Sequence, residues 1–208
     1  MGRPREHDLD SLLDHARQIW IERGAAALTI RALSAASTAS NGAIYHAFGT
    51  RAGVLAAVWA REATGYLAHL RARIESVSAA AGQPVELLLA AGLAPLTYAS
   101  SNPAASRLLL TANLDELFTP ELDDDQRASL AGLRTELGQI IVSLAGTAWG
   151  RTDRAAVKLT QYCVVELPGA LLLSAKNPED PLATLALENA IRGIAATDLP
   201  PVRTDTTP

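Results

Sequence analysis

The chain has 208 residues, 49% hydrophobic and 19% charged, with a formal net charge of −4; that suits a packed core and excludes both a disordered tail and a protein that coats nucleic acid indiscriminately. No run of about 18 uncharged apolar residues occurs, so no transmembrane helix is predicted, and the charged segment Met1 to Asp10 lacks the apolar core of a secretory signal. The single cysteine, Cys163, rules out an intrachain disulfide and fits an expected cytoplasmic location.

Alanine is abundant and aromatics make up only 4%; alanine is the strongest helix former, so an all-helical fold is expected. Val, Ile and Thr never alternate over a long run, which argues against strands. Charge is uneven. Residues 1–62 hold seven arginines against six acids, net +1, which leaves −5 for the remainder. That asymmetry suits a molecule that touches nucleic acid with one end.

From the front, Leu9, Leu12, Leu13, Ala16, Ile19 and Trp20 form one apolar stripe, predicting an amphipathic helix over 8–23. Gly24 stands where a helix ends in a left-handed residue. Thr29 is placed to cap a second short helix with Ile30, Leu33 and Ala36 inward, and Ser40 to cap a third over Asn41–Phe48. Thr50 can cap a long fourth helix from Arg51 to about Ser78. Two short helices joined by the turn Thr38-Ala39-Ser40 and braced by a first helix make a helix-turn-helix over about 29–48. Small residues at Asn41, Gly42 and Ala43 let the second helix of the pair approach the floor of a major groove.

The run Thr29-Ile30-Arg31-Ala32-Leu33-Ser34, then Ser40-Asn41-Gly42-Ala43-Ile44-Tyr45-His46-Ala47-Phe48, then Thr50-Arg51 and Leu55, resembles the signature of the tetracycline-repressor (TetR) family. Ser37 and Thr38 depart from the alanine and glycine usual at the turn, and Arg51 from the usual lysine. The resemblance implies an N-terminal three-helix DNA-binding domain (1–50), a helical ligand-binding and dimerisation domain (51–198) and a disordered tail (199–208), with about nine helices. It implies phosphate contacts from Thr29, Tyr45, His46 and Arg51, with Ser40 heading the reading helix. Arg31 matches a position that reaches guanine, with Asn41, Gly42 and Ala43 at the groove floor. The tail Gly2-Arg3-Pro4-Arg5 resembles arms laid in a minor groove.

In the larger domain, a fifth helix is predicted over 85–101 with Pro95 kinking it or ending its first half, and a sixth from Asn102-Pro103 to about Asn113. Thr119-Pro120-Glu121 looks like a helix start. Leu130, Leu133, Leu137, Ile140, Ile141 and Leu144 stripe a seventh helix ended by Gly150. Thr152-Asp153 opens an eighth to Lys176, and Asp180-Pro181 a ninth. Residues 162–173 are apolar nearly all round, so burial on two sides is expected, against their own core and a second copy. The expected homodimer therefore uses helices about 152–176 and 181–198, on a palindromic operator. Glu166 is the odd acid in that run, with roles in a ligand pocket and in pairing both open. Tyr66, His69, Tyr98, Arg107, Asn113, Trp149 and Tyr162 are further pocket candidates.

No phosphate-binding glycine loop, GxSxG, HExxH or CxxC occurs, and the four histidines lack metal-ligand spacing. No catalytic residue, metal or cofactor is expected. The function the resemblance implies is a ligand-responsive transcriptional regulator, and, since most of the family repress, a repressor released by a small, largely apolar effector. The competing reading is a helical ligand-binding or assembly protein that has lost DNA binding.

Overall fold

The structure is a computed structural model, and it describes residues 6–80, 83–112, 117–173 and 180–199. The expected arm at residues 2–5, the pocket candidate Asn113 and the tail beyond Leu199 lie outside these residues. Among the described residues there are ten α-helices and no strand: α1 (Glu6–Arg23), α2 (Ile30–Ala36), α3 (Asn41–Phe48), α4 (Arg51–Ala79), α5 (Pro84–Gly92), α6 (Ala94–Ser101), α7 (Pro103–Thr111), α8 (Asp124–Trp149), α9 (Arg154–Gln161) and α10 (Pro181–Ala195). The fold is all-helical with an N-terminal helix-turn-helix.

Local chemistry sets most boundaries. α1 ends at Gly24, whose φ of +81° is a conformation an L side chain resists. Thr29 and Ser40 cap α2 and α3 through hydroxyl oxygens that accept from Ala32 N–H (3.0 Å) and Ala43 N–H (3.2 Å). Thr50 does the same for α4, accepting from Gly53 N–H at 3.0 Å.

The structure sharpens or corrects the predicted elements at four places. Of the two outcomes expected at Pro95, the second holds: the stretch is two helices, α5 and α6, parted at Leu93. Pro95 has no N–H for the Ala91 carbonyl and its ring crowds that carbonyl, so the helix stops and restarts. Thr119-Pro120-Glu121 is a turn instead of a helix start. α8 begins at Asp124 because Asp123 and Gln126 form a reciprocal cap: Gln126 N–H donates to Asp123 Oδ1 (2.8 Å), and Asp123 N–H to Gln126 Oε1 (3.1 Å). The helix opened by Asp153 is regularly α-helical only to Gln161, then passes through π-helical turns at Tyr162–Glu166 and Gly169–Leu173. Pro168 offers no N–H to the Val164 carbonyl, and a widened turn absorbs the mismatch. Cys163, Val164 and Leu172 of that run are buried in the single chain, while Val165 and Glu166 are exposed.

The chain divides into two compact units. One comprises the residues up to Gly65 with Asn102–Arg134; the other comprises Tyr66–Ser101 with the residues from Thr135 onward. In the first, Trp20, Leu28, Leu33, Ile44 and Val54 pack into one core with Leu108 of α7, Leu122 of the turn before α8 and Leu130 of α8. Each such fully buried side chain contributes about 1.5–3 kcal/mol. The buried Glu62 on α4 joins α4 to α1: Arg61 lies 2.9 Å and Arg17 3.4 Å from its carboxylate, and Asp14 pairs with both arginines. In the second unit, Leu87–Gly92 of α5 is buried throughout. A Cβ on Gly92 would lie 2.4 Å from Ile191 Cδ1 of α10 and 2.8 Å from the Cys163 carbonyl; its absence lets three segments meet.

Candidate nucleic-acid interface and ligand site

α3 is anchored on one side only. Ile44 and Phe48 are buried, while Asn41, Gly42, Ala43, Tyr45 and His46 are exposed. Tyr45 is 54% exposed, a large aromatic held in solvent with its hydroxyl free to reach outward. α2 mirrors this, with Ile30 and Leu33 inward and Arg31 exposed beside the exposed Thr29. The structure thus brings Thr29, Arg31, Ser40, Asn41, Gly42, Ala43, Tyr45 and His46 onto the exposed surface of two adjacent short helices.

Arg51 stands apart. Its guanidinium turns to the protein, donating from Nε to the Leu28 carbonyl at 2.6 Å and from Nη2 to the Ala25 carbonyl. It satisfies carbonyls of the 25–28 turn, where α1 gives way to α2.

The turn that departs from the family pattern is closed by hydroxyls. Ser34 Oγ donates to the Ala39 carbonyl (2.8 Å) and Ser37 Oγ accepts from Ala39 N–H (3.3 Å). Ser37 itself is extended, with φ −121° and ψ 178°. Side-chain bonds of this kind substitute for backbone turn geometry.

Residues 12–58 match the family profile of the bacterial regulatory proteins of the tetR family. The helix-turn-helix head is that of the tetR family. None of the curated proteins matches the sequence. Solved structures match over nearly the whole chain at low identity, which shows a shared fold. A tetR-family regulatory protein from Rhodococcus RHA1 has TM-score 0.68 at 18% identity, covering 92% of this chain and 98% of its own. The superantigen PfiT has TM-score 0.70 at 20% identity, covering 95% and 100%. FadR of Bacillus subtilis, solved with stearoyl-CoA, has TM-score 0.63 at 10% identity, covering 90% and 98%. The tetR-family fold therefore extends past the matched head.

In the second unit, three pocket candidates converge. Tyr66 and His69 on α4 face Tyr98 on α6, with ring centroids 5.5 Å and 5.4 Å apart. His69 Nε2 lies 2.8 Å from Thr97 Oγ1, whose hydroxyl donates to the Ala94 carbonyl at 3.1 Å. Burial, and then the nearby Arg73 guanidinium, hold the His69 pKa below its ordinary value, and burial pushes the Tyr66 phenol up to about 12. Both are neutral at pH 7. Arg73 Nε and Trp149 Nε1 are buried donors without a protein partner. Thr97 was not among the sequence candidates, nor was Arg73, although the i, i+3, i+7 spacing of 66, 69 and 73 puts that arginine on the same side of α4 as Tyr66 and His69.

The other candidates lie elsewhere. Arg107 is exposed on α7, in the first unit. Tyr162 and Glu166 form a second cluster around Lys158, whose ammonium sits 4.7 Å over the Tyr162 ring and 2.6 Å from Glu166 Oε1. That hydrogen bond raises the Lys158 pKa. Among the described residues, no group of His, Cys, Asp and Glu could hold a metal ion, and no helix is long and apolar enough to cross a membrane.

Proposed function

We propose that the protein is a ligand-responsive DNA-binding transcriptional regulator that acts as a dimer and represses. The observation that carries the reading is α3: a helix pinned by Ile44 and Phe48, with small residues at its start and Tyr45 and His46 exposed. Such a helix enters a major groove, with Asn41, Gly42 and Ala43 at the base edges. Arg31 reads guanine, and Thr29, Tyr45 and His46 hold phosphates. Arg51 supports this surface from behind by bonding the turn that leads into α2.

The effector site is placed at Tyr66, His69, Thr97 and Tyr98. Neutral aromatic rings there suit a largely apolar molecule, and the unpartnered Arg73 Nε suits an accepting oxygen on it. The FadR relative, solved with an acyl thioester, supports an amphipathic effector. Release follows if that molecule binds the DNA-free state better than the bound one. Lys158 engages Glu166, which favours pairing over a pocket role for that acid.

Dimerisation is assigned to α10 and the turns after α9. Leu182, Leu185 and Val165 are exposed in the single chain at 72%, 54% and 38%, and a second copy would cover them.

Selection from a pool of random duplexes tests the function. The full chain is expected to enrich an inverted repeat whose half-sites lie one helical turn, or a multiple, apart. A pool that stays random through repeated rounds overturns the proposal.

A further inference from the structure

The recognition helix is held at its C-terminal end by a residue outside both the helix-turn-helix and the matched segment 12–58. Gln126, in the first turn of α8, donates from Nε2 to the Phe48 carbonyl at 3.0 Å across 78 residues of sequence. The orientation of its amide is fixed by the other half of the group. Oε1 accepts from Asp123 N–H at 3.1 Å, while Gln126 N–H donates to Asp123 Oδ1 at 2.8 Å. One side chain thus completes the cap of α8 and grips the last carbonyl of α3.

The surroundings are built for this approach. A Cβ on Gly53 would lie 2.0 Å from the Phe48 carbonyl oxygen and 2.6 Å from Gln126 Nε2, so α4 passes the bond only as glycine. The Phe48 carbonyl also accepts from Thr50 N–H at 2.7 Å, which closes the corner between α3 and α4. The turn ahead of α8 is itself tied down: Arg127 donates to the carbonyls of Thr119 (3.0 Å) and Leu122, and Leu117, Leu122 and Leu130 sit in the core that holds Ile44 and Phe48. All of these groups belong to the first compact unit.

We infer that Gln126 is a positioning residue for DNA reading, acting through the Phe48 carbonyl to hold the end of α3 while α8 continues past Thr135 into the second unit. The DNA part of this inference rests on the proposed function; the bond and its effect on α3 do not.

Three substitutions separate the roles. Gln126→Glu keeps the acceptor that caps α8 and removes the donor to Phe48. Gln126→Lys keeps a donor and loses the cap acceptor. Asp123→Ala weakens the cap and leaves the donor. In the free full-length protein, amide exchange at Gly49 and Thr50 is expected to quicken about threefold to tenfold in Gln126→Glu, the effect of one lost hydrogen bond. It should stay near wild type in Gln126→Lys and Asp123→Ala. On the duplex enriched by wild type, Gln126→Glu should bind at least about threefold more weakly, with its unfolding midpoint kept by the retained cap. Exchange at Gly49 and Thr50 unchanged in Gln126→Glu would overturn the inference, as would equal quickening in all three variants. Quickened exchange with undiminished binding would overturn the positioning role as well. Failure of wild type to enrich any duplex would count against the DNA reading alone, because the exchange measurement uses no DNA.

Discussion

Cys163 is fully buried in the first π-helical turn after α9, and burial pushes its thiol pKa up to about 12. At pH 8 its thiolate fraction is therefore on the order of a thousandth of that of an unperturbed thiol with pKa near 8.5. Iodoacetamide should leave the folded protein unmodified while alkylating it promptly in denaturant; prompt labelling of the native state would mean that this turn opens. The burial of Cys163 was legible in sequence, because it sits in the mostly apolar run 162–173. So were the caps at Thr29 and Ser40, since a hydroxyl two or three residues ahead of its N–H is a local event. The grip of Gln126 on Phe48 was not, because nothing in a local pattern pairs positions 78 residues apart. The bonds of Arg51 to the Leu28 and Ala25 carbonyls were hidden for the same reason.

At the scale of elements, periodicity located most helices and left open what a proline does inside a run. Pro95 divides α5 from α6, and Pro168 accompanies the π-helical turns that follow α9. A proline removes one bond and crowds one carbonyl, but neighbouring packing decides whether the helix stops or widens. The same limit applies to faces. On α10 the single chain leaves Leu182 and Leu185 exposed, while Leu187 and Ile191 are buried. A leucine regains about 1.5–3 kcal/mol when covered. The double variant Leu182→Asp, Leu185→Asp is therefore expected to elute and scatter light as a monomer with unchanged helix content. A variant that keeps the dimeric mass, or a wild type that is monomeric at the same concentration, would remove α10 from the interface.

For the whole molecule, composition and the spacing of the head residues conveyed an all-helical fold with an N-terminal helix-turn-helix. They did not convey that the first compact unit recruits Asn102–Arg134, because that association depends on Leu108, Leu117, Leu122 and Leu130 meeting the head's core in space. Two helices, α4 and α8, contribute residues to both units. The proposed function depends on DNA reading by α3 and its neighbours. The decisive experiment titrates the enriched duplex and a shuffled duplex with wild type, Arg31→Ala and Tyr45→Phe by fluorescence anisotropy, from 50 to 200 mM salt. Wild type should prefer the enriched duplex and lose about a thousandfold or more in affinity across that range if six or more phosphates are neutralised. Arg31→Ala should weaken binding and relax the preference at one base pair by about 1–3 kcal/mol, while Tyr45→Phe should weaken both duplexes alike. Equal affinity for the two duplexes, unmoved by either substitution, would contradict the assignment of α3 as the reading helix.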